Sequence, residues 1–169
     1  MTDDAKRLDT KLEAEAAEFL VLGRLLLERI VAFKAYVNFP GYDLIAANAD
    51  KARTARVQVK SRYRTDWDGF IINNYDCDFV VFAALNRGFS RPKRTGDTGI
   101  KEPEFYVMPI SYVTEVRDPN NAWGKIIRKR LAGIEQFRDR WDMIAKFLDE
   151  PIDTLTLRSN ETSQKRTTP

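Results

Sequence analysis

Residues 56–64 read RVQVKSRYR, and this segment has the alternation and the β-branched content of a strand. Successive side chains of a strand point to opposite faces, so Val57 and Val59 lie on one face while Gln58 and Lys60 lie on the other. The valine face is suited to burial. The opposite face carries an amide and an ammonium two positions apart, and the fold must provide partners for this polar pair.

The segments before this strand predict a helix and the first half of a hairpin. Apolar residues recur at three- and four-residue spacing and predict one amphipathic helix over residues 10–33, with an apolar stripe of Leu12, Ala16, Phe19, Gly23, Leu26 and Ile30. Residues 42–48, YDLIAAN, follow the Pro40-Gly41 turn and predict a strand that forms a hairpin with residues 55–62.

The segments after it predict further strands and a long basic loop. Residues 69–73 form a weaker candidate strand, and residues 104–110 form another. Residues 78–85, DFVVFAAL, carry no charge from Phe79 onward, which is typical of a central buried strand. Between the last two strands, residues 86–103 are rich in Gly, Pro, Arg and Lys and predict an irregular loop.

The C-terminal third predicts helical structure. From Asn120 onward an apolar stripe has helical spacing, with a break near Gly133, through Trp123, Ile127, Leu131, Ile134, Phe137, Trp141, Ile144 and Leu148. Its aromatic residues are therefore expected in the core. We predict an α/β fold: a central mixed β-sheet flanked by an N-terminal helix and C-terminal helices, in a single domain over residues 1–152, with residues 153–169 as a disordered tail.

Composition excludes several classes of site. The 169 residues contain no histidine, which removes Ser-His-Asp triads and His-ligated metal centres. The single Cys77 can form neither an internal disulfide nor a multi-cysteine zinc site, and it suits a reducing cytoplasm. The N-terminal sequence has no signal-peptide pattern and no apolar run is long enough to span a membrane, so we expect a cytoplasmic protein.

The charge balance implies that any surface that binds a polyanion is a local cluster of basic residues. Lys and Arg number 28 against 25 Asp and Glu, for a net charge of only +3. A nucleic-acid surface would therefore have to be built from local clusters. The candidate phosphate-contacting residues are Arg62, Arg64, Arg87, Arg91, Lys93 and Arg94.

A carboxylate on one strand of the predicted hairpin faces the polar pair on the other. Asp43 lies at the start of the first strand, and Gln58 and Lys60 lie on the second, so the hairpin can bring the three together. Metal-dependent phosphodiester hydrolysis needs oxygen ligands for a hard cation and a positive group to hold the attacking water. Glu18 on the helix could add a second carboxylate, and Glu15 projects from nearly the same face as an alternative.

These segments resemble the PD-(D/E)XK nuclease superfamily, in particular small domains related to Holliday-junction resolvases and restriction enzymes. The matching pieces are AEFLVLGRLL, PGYDLIAAN, RVQVKS, DFVVFAAL and EFYVMP. The resemblance implies a restriction-endonuclease-like core and an endonuclease that cuts DNA with Mg²⁺, or Mn²⁺ in its place, and no organic cofactor. It also implies that Glu18, Asp43, Gln58 and Lys60 are catalytic, with metal ligands from Glu18, Asp43, Gln58 and the carbonyl of Val59.

The sequence departs from this pattern at Gln58, where the superfamily usually has Asp or Glu. An amide still offers an oxygen to a cation, but it brings one negative charge less. The alternative is a catalytically inactive nuclease-fold domain that binds nucleic acid or a protein partner in a defence or repair assembly. A homodimer would suit the cutting of both DNA strands, although no interface pattern is readable.

Overall fold

The computed structural model describes residues 10–35, 41–91 and 93–151. The helices are α1 (Thr10–Leu27), α2 (Ile110–Glu115) and α3 (Asp142–Asp149), and short 3₁₀ turns span Arg128–Arg130 and Ile134–Phe137. The strands are β1 (Val31–Lys34), β2 (Leu44–Asn48), β3 (Arg53–Arg62), β4 (Gly69–Ile71), β5 (Phe79–Ala84), β6 (Glu104–Pro109) and β7 (Lys125–Ile127). The predicted tail, residues 153–169, and Pro40 lie outside the described residues.

Five strands form a mixed sheet in the order β1-β2-β3-β5-β6. The β3–β5 pair is parallel, and the other three pairs are antiparallel. The hairpin of β2 and β3 has the predicted partners, with Leu44 opposite Val57. All six residues of β5 are buried, as the charge-free run predicted. The predicted α/β architecture with a central mixed sheet is therefore confirmed.

Structure covers both faces of the sheet. Alternation in β3 turns Val57 and Val59 toward α1 and α3, into a cluster that includes Ala17, Val21, Leu25, Leu44, Val81, Val107, Trp141, Ile144 and Leu148. The other face packs beneath α2 and the small β4–β7 ribbon, in a cluster that includes Trp67, Phe70, Ile72, Cys77, Val80, Phe82, Met108 and Ile126. The single cysteine, Cys77, is buried in this second cluster. The polar side of β3 thus runs into a covered region.

The first helix ends earlier than predicted. At its C-terminus the Ile30 N–H donates to Leu25 O (2.9 Å) and the Arg29 N–H donates to Leu26 O (3.0 Å), while Arg29 has φ 60°. This is a Schellman ending with arginine at the left-handed position that usually holds glycine. The chain then enters β1 at the edge of the sheet, so the helix predicted over residues 10–33 was wrong in its last quarter, residues 28–33.

The face that α1 buries also differs from the predicted stripe. Its buried residues are Ala17, Val21 and Leu25. Leu12 and Leu26 of the predicted stripe are 69% and 53% exposed. Because α1 carries apolar residues on two sides, periodicity alone could not tell which side contacts the sheet.

The C-terminal third is less helical than predicted. Residues 125–127 pair with β4 as a strand, and within the described part of this region, up to residue 151, only Asp142–Asp149 form a regular helix. Gly133 has φ 72°, a left-handed conformation that interrupts helical propagation at the break noted in the sequence. Phe137 and Trp141 are buried as predicted, but Trp123 is 80% exposed, so its expected place in the core was wrong.

The long basic loop follows β5 and carries no helix or strand where it is described, apart from an isolated bridge between Arg87 and Ile100. This agrees with the irregular connection predicted over residues 86–103. Among the described helices, none is long and apolar enough to cross a membrane.

Candidate active site

Asp43 lies where the chain enters the sheet, one residue before β2. Its N–H donates to Val57 O (2.9 Å), and its carboxylate accepts a hydrogen bond from the Val59 N–H (Oδ2 to N, 2.7 Å). Two residues earlier, Gly41 has φ 107°, and a Cβ there would come within 2.9 Å of Asp76 O. Only glycine fits this approach, which fixes the position of Asp43 against β3.

On the side of β3 that faces β2, no described strand pairs with the residues that follow Val57. Carbonyls of Arg56 and Arg62 accept from Asp78 N and Leu85 N on the β5 side, whereas Val57 O accepts from Asp43 N on the β2 side. Carbonyl directions alternate along a strand, so the Val59 carbonyl turns toward the β2 side just past the end of that strand. The Asp43 carboxylate and the Val59 carbonyl therefore share one open edge.

Gln58 and Lys60 lie on the face of β3 opposite to the valines. Gln58 is 7% exposed, and its Oε1 is buried without a hydrogen-bond partner among the described residues. A buried amide oxygen without a partner is costly, and a cation is one ligand that would satisfy it. Burial lowers the pKa of Lys60, although the negative charges of Asp43 and Glu18 act in the opposite direction.

Glu18 approaches Asp43 from α1, on the valine face of β3, and its carboxylate lies beside a second lysine. The Nζ of Lys34 lies 2.9 Å from Glu18 Oε2 and 2.5 Å from Glu15 Oε1. The side chain of Glu18 is 19% exposed, compared with 52% for Glu15. Of the two glutamates that the sequence left as alternatives, Glu18 is the one directed into the protein.

Burial disfavours the charged forms of the two carboxylates of this site. Burial raises the pKa of Asp43, against the opposing influence of the Val59 N–H bond, Lys60 and Lys34. Burial also raises the pKa of Glu18, and the negative charge of Asp43 adds to that effect while Lys34 opposes it. Glu18, Asp43 and Lys60 therefore lie close enough to perturb one another, as a shared site requires.

A cleft of about 260 Å³ opens beside Lys60, between the start of α1 and the second half of β3. Val59, Lys60 and Arg62 contribute to its wall. On its rim the Ser61 hydroxyl donates to Glu13 Oε1 (3.0 Å). The cleft has room for a phosphodiester group beside the Lys60 ammonium.

The basic loop lies against the chain that follows β3. The Thr65 N–H donates to Gly88 O (2.9 Å) and the Arg87 N–H donates to Tyr63 O (2.8 Å). The Arg64 guanidinium donates to Phe89 O (3.0 Å). The predicted phosphate-contacting residues thus lie at or beyond the C-terminal end of the strand that carries Lys60: Arg62, its last residue, is partly buried, and the exposed members are Arg64, Arg87, Arg91, Lys93 and Arg94.

Two of the charged residues near β3 have other roles. Arg56, on the polar face, pairs with Asp78 (Nε to Oδ2, 3.3 Å) and with Asp76. These ion pairs hold the start of β5 against β3. Lys93 pairs with Asp97 within the loop (3.2 Å). Exposed pairs of this kind contribute little to stability, and the Lys93 pair can open to meet a phosphate.

Sequence reasoning missed Lys34. The residue follows directly on the predicted helix of residues 10–33, and the short alternation VAFK was the only signal that it belongs to a strand facing α1. Among the described residues, no three His, Cys, Asp or Glu side chains gather into a metal-binding cluster. The candidate metal ligands named from the sequence are of mixed type: two carboxylates, one amide and one main-chain carbonyl.

Comparison with solved structures identifies a nuclease fold. The chain is similar to a bacterial homing endonuclease, I-Ssp6803I, with a TM-score of 0.52 and 20% sequence identity. The match covers 91% of this chain and 98% of that protein. No protein-family model and no curated protein sequence matches the chain. At this identity the likeness establishes the fold, and activity must be argued from the residues present.

Proposed function

We propose that this protein is a Mg²⁺-dependent endonuclease of the PD-(D/E)XK type that hydrolyses phosphodiester bonds in DNA, in a restriction, repair or resolvase-like role. The observation that carries the proposal is that Glu18 and Lys60 each interact electrostatically with Asp43, while Gln58, two residues from Lys60, has a buried amide oxygen without a hydrogen-bond partner among the described residues. These residues come from three elements that are distant in sequence. The fold, shared with a homing endonuclease, supports DNA as the substrate.

The residues present fit a hard divalent cation. The donors would be Glu18, Asp43, Gln58 Oε1 and the Val59 carbonyl, and Mg²⁺ or Mn²⁺ prefers such oxygen ligands. A cation would satisfy Gln58 and would relieve the two carboxylates that burial disfavours in their charged form. When bound, it would stabilise negative charge that develops on the phosphoryl oxygens.

Lys60 would hold the attacking water against the scissile phosphate. Its ammonium has three donors, which allows contacts to the water and to a phosphate oxygen at once. Burial lowers the pKa of Lys60, which brings its proton affinity closer to that needed for proton transfer near neutral pH. The Val59 N–H meanwhile keeps the Asp43 carboxylate oriented.

DNA would be positioned by cations around the cleft. Arg62 lies in the cleft wall, and Arg64, Arg87, Arg91, Lys93 and Arg94 extend from it along the loop. Contacts from such side chains to phosphates supply affinity without reading sequence. Two copies of the protein acting as a homodimer would place one site at each strand of a duplex.

A cleavage assay tests the proposal. Purified protein is incubated with plasmid, four-way junction and single-stranded DNA, in Mg²⁺, Mn²⁺ or chelator. We expect metal-dependent cutting that Lys60→Ala abolishes while the far-UV circular dichroism spectrum is unchanged. Lys51→Ala, which removes an exposed lysine from the β2–β3 turn, is the matched control and should cut as the parent does. Cutting by Lys60→Ala at the parent rate would disprove the role of Lys60.

The second candidate is a catalytically inactive nuclease-fold domain that binds nucleic acid or a protein partner. Two observations favour it: Gln58 is neutral where a carboxylate is usual, and the Lys34 ammonium already neutralises Glu18. Calorimetric titration with Mg²⁺ and Mn²⁺, alone and with DNA, separates the candidates. A protein that binds neither metal in the presence of DNA would be the inactive domain.

A further inference from the structure

Lys34 is enclosed although it lies on an edge strand. Its side chain is 6% exposed. It pairs opposite Leu44 and therefore points to the face that α1 covers. There its Nζ contacts Glu15 Oε1 (2.5 Å) and Glu18 Oε2 (2.9 Å), and it lies 4.6 Å from the centre of the Phe19 ring. Two carboxylates and an aromatic face thus surround one ammonium.

The same ammonium acts on the other carboxylate of the site. The residue after it, Ala35, donates its N–H to Asp43 O (2.9 Å), which ties β1 to the entry of β2. The charge of Lys34 also stabilises the charged form of Asp43. Lys34 therefore supplies positive charge to both carboxylates that would ligate a metal.

If a divalent cation and the Lys34 ammonium both contacted Glu18, the two positive charges would repel each other strongly, because like charges a few ångströms apart in a partly buried site are poorly screened. Glu15 offers the ammonium another acceptor. Its carboxylate is in contact already and is 52% exposed, so water helps to solvate the pair.

We propose that Lys34 is a resident competitor of the metal: it neutralises Glu18 while no metal is bound and withdraws onto Glu15 when a divalent cation takes Glu18. This inference rests on the proposed function. It assigns different roles to the two glutamates, with Glu18 as the ligand and Glu15 as the acceptor that receives the displaced ammonium. Lys34 is thus a positioning residue that sets metal affinity.

The proposal predicts opposite effects for two substitutions in one ion pair. Lys34→Met removes the competitor and keeps the length of the side chain, so Mn²⁺ should bind about tenfold more tightly. Glu15→Gln removes the alternative acceptor, so the ammonium stays on Glu18 and Mn²⁺ should bind several-fold more weakly. Lys34→Arg keeps the charge and should bind Mn²⁺ much as the parent does.

The experiment is a calorimetric titration of the metal-free, full-length protein with MnCl₂ in the absence of DNA, accompanied by thermal unfolding with and without the metal. Glu13→Gln is the matched control, because it removes the same charge from the same helix but breaks a contact with Ser61. In the Lys34→Met background, Glu15→Gln should have only the small effect of Glu13→Gln, since there is no ammonium to receive.

The expected thermal result is a lower melting temperature for metal-free Lys34→Met and a larger rise on adding Mn²⁺ than in the parent. Unchanged or weaker Mn²⁺ binding by Lys34→Met would overturn the proposal. If that variant does not fold, tighter or unchanged binding by Glu15→Gln would overturn it. A parent that binds no metal, either alone or with DNA, refutes the proposed function and this inference together, whereas a parent that binds metal and cuts DNA while Lys34→Met binds no more tightly refutes only the inference.

Discussion

Asp43→Asn should stabilise the metal-free protein while it abolishes cleavage. Asparagine has nearly the shape of aspartate, and its amide oxygen can still accept the Val59 N–H bond. What it removes is a charge that burial disfavours, as the raised pKa of Asp43 shows. A buried charge that is kept for function and only partly compensated is expected to lower the stability of the fold.

The magnitude follows from the balance of contacts around the carboxylate. One short bond from Val59 and the charges of Lys60 and Lys34 oppose desolvation but do not cancel it. We expect the substitution to add about 1 kcal/mol to the free energy of unfolding at pH 7, the usual size when one functional group is relieved. For a chain of this length that corresponds to about 3 °C in melting temperature.

The pH dependence has a definite sign. Because the pKa of Asp43 is higher in the folded protein, the folded state keeps a proton that the unfolded chain has already released. The contribution of this group to stability is therefore full below the ordinary pKa of 3.8 and is lost as the pH rises through the raised value. The advantage of Asp43→Asn should be largest at pH 7 and should disappear near pH 4.

Urea denaturation of both proteins from pH 4 to pH 8, in chelator, measures this difference directly. Repeating it with Mg²⁺ should stabilise the parent and leave Asp43→Asn unchanged, since one ligand is gone. A variant that is less stable than the parent at pH 7 without metal would refute the reasoning, because Asp43 would then have to be a well-compensated structural carboxylate.

Two further substitutions probe the neighbourhood of Asp43. Gln58→Glu places a third carboxylate at a buried position. The affinity for Mg²⁺ should therefore rise about tenfold, while the free energy of unfolding of the metal-free protein falls by about 1–3 kcal/mol. Unchanged metal affinity in calorimetry would mean that residue 58 does not contact the cation. Gly41→Ala adds a Cβ at φ 107° and within 2.9 Å of Asp76 O, so urea denaturation should show a loss of about 1–3 kcal/mol. Gly23→Ala is its control, because that glycine lies in α1 with open space around it and the change should stabilise the helix by up to about 1 kcal/mol; a Gly41→Ala protein as stable as the parent would show that the entry to β2 is not constrained.

The prediction of the first helix failed at a point where the decisive signal was absent from the sequence. Glycine usually marks a Schellman ending, but here Arg29 takes the left-handed conformation, and the hydrogen bonds to Leu25 and Leu26 are visible only in the folded chain. Residues 31–34 then form a strand because β2 offers an edge to pair with. Lys34, and with it the ion pairs to Glu15 and Glu18, was overlooked for the same reason.

The C-terminal prediction failed through competition between local and long-range partners. Ile127 fits a helical stripe, yet its segment pairs with β4. A strand partner that is distant in sequence cannot be detected from the periodicity of consecutive residues. Trp123 matched the same stripe and is exposed. Phe137 and Trp141 were placed correctly because both pack against the sheet, Phe137 in the cluster that contains Met108 and Trp141 beside Phe105.

The sequence by itself determined the hairpin, the buried central strand and the set of polar residues around them, because period-two alternation and an uncharged run are properties of consecutive residues. It also excluded every site that needs histidine. Only the tertiary structure decided three features of the described chain: β2 stops pairing with β3 before Val59, the buried Gln58 oxygen has no hydrogen-bond partner there, and Lys34 faces Glu18. Each of these depends on where the chain leaves the sheet and on which side of α1 contacts it, and such relations between distant segments are set by packing and not by local pattern.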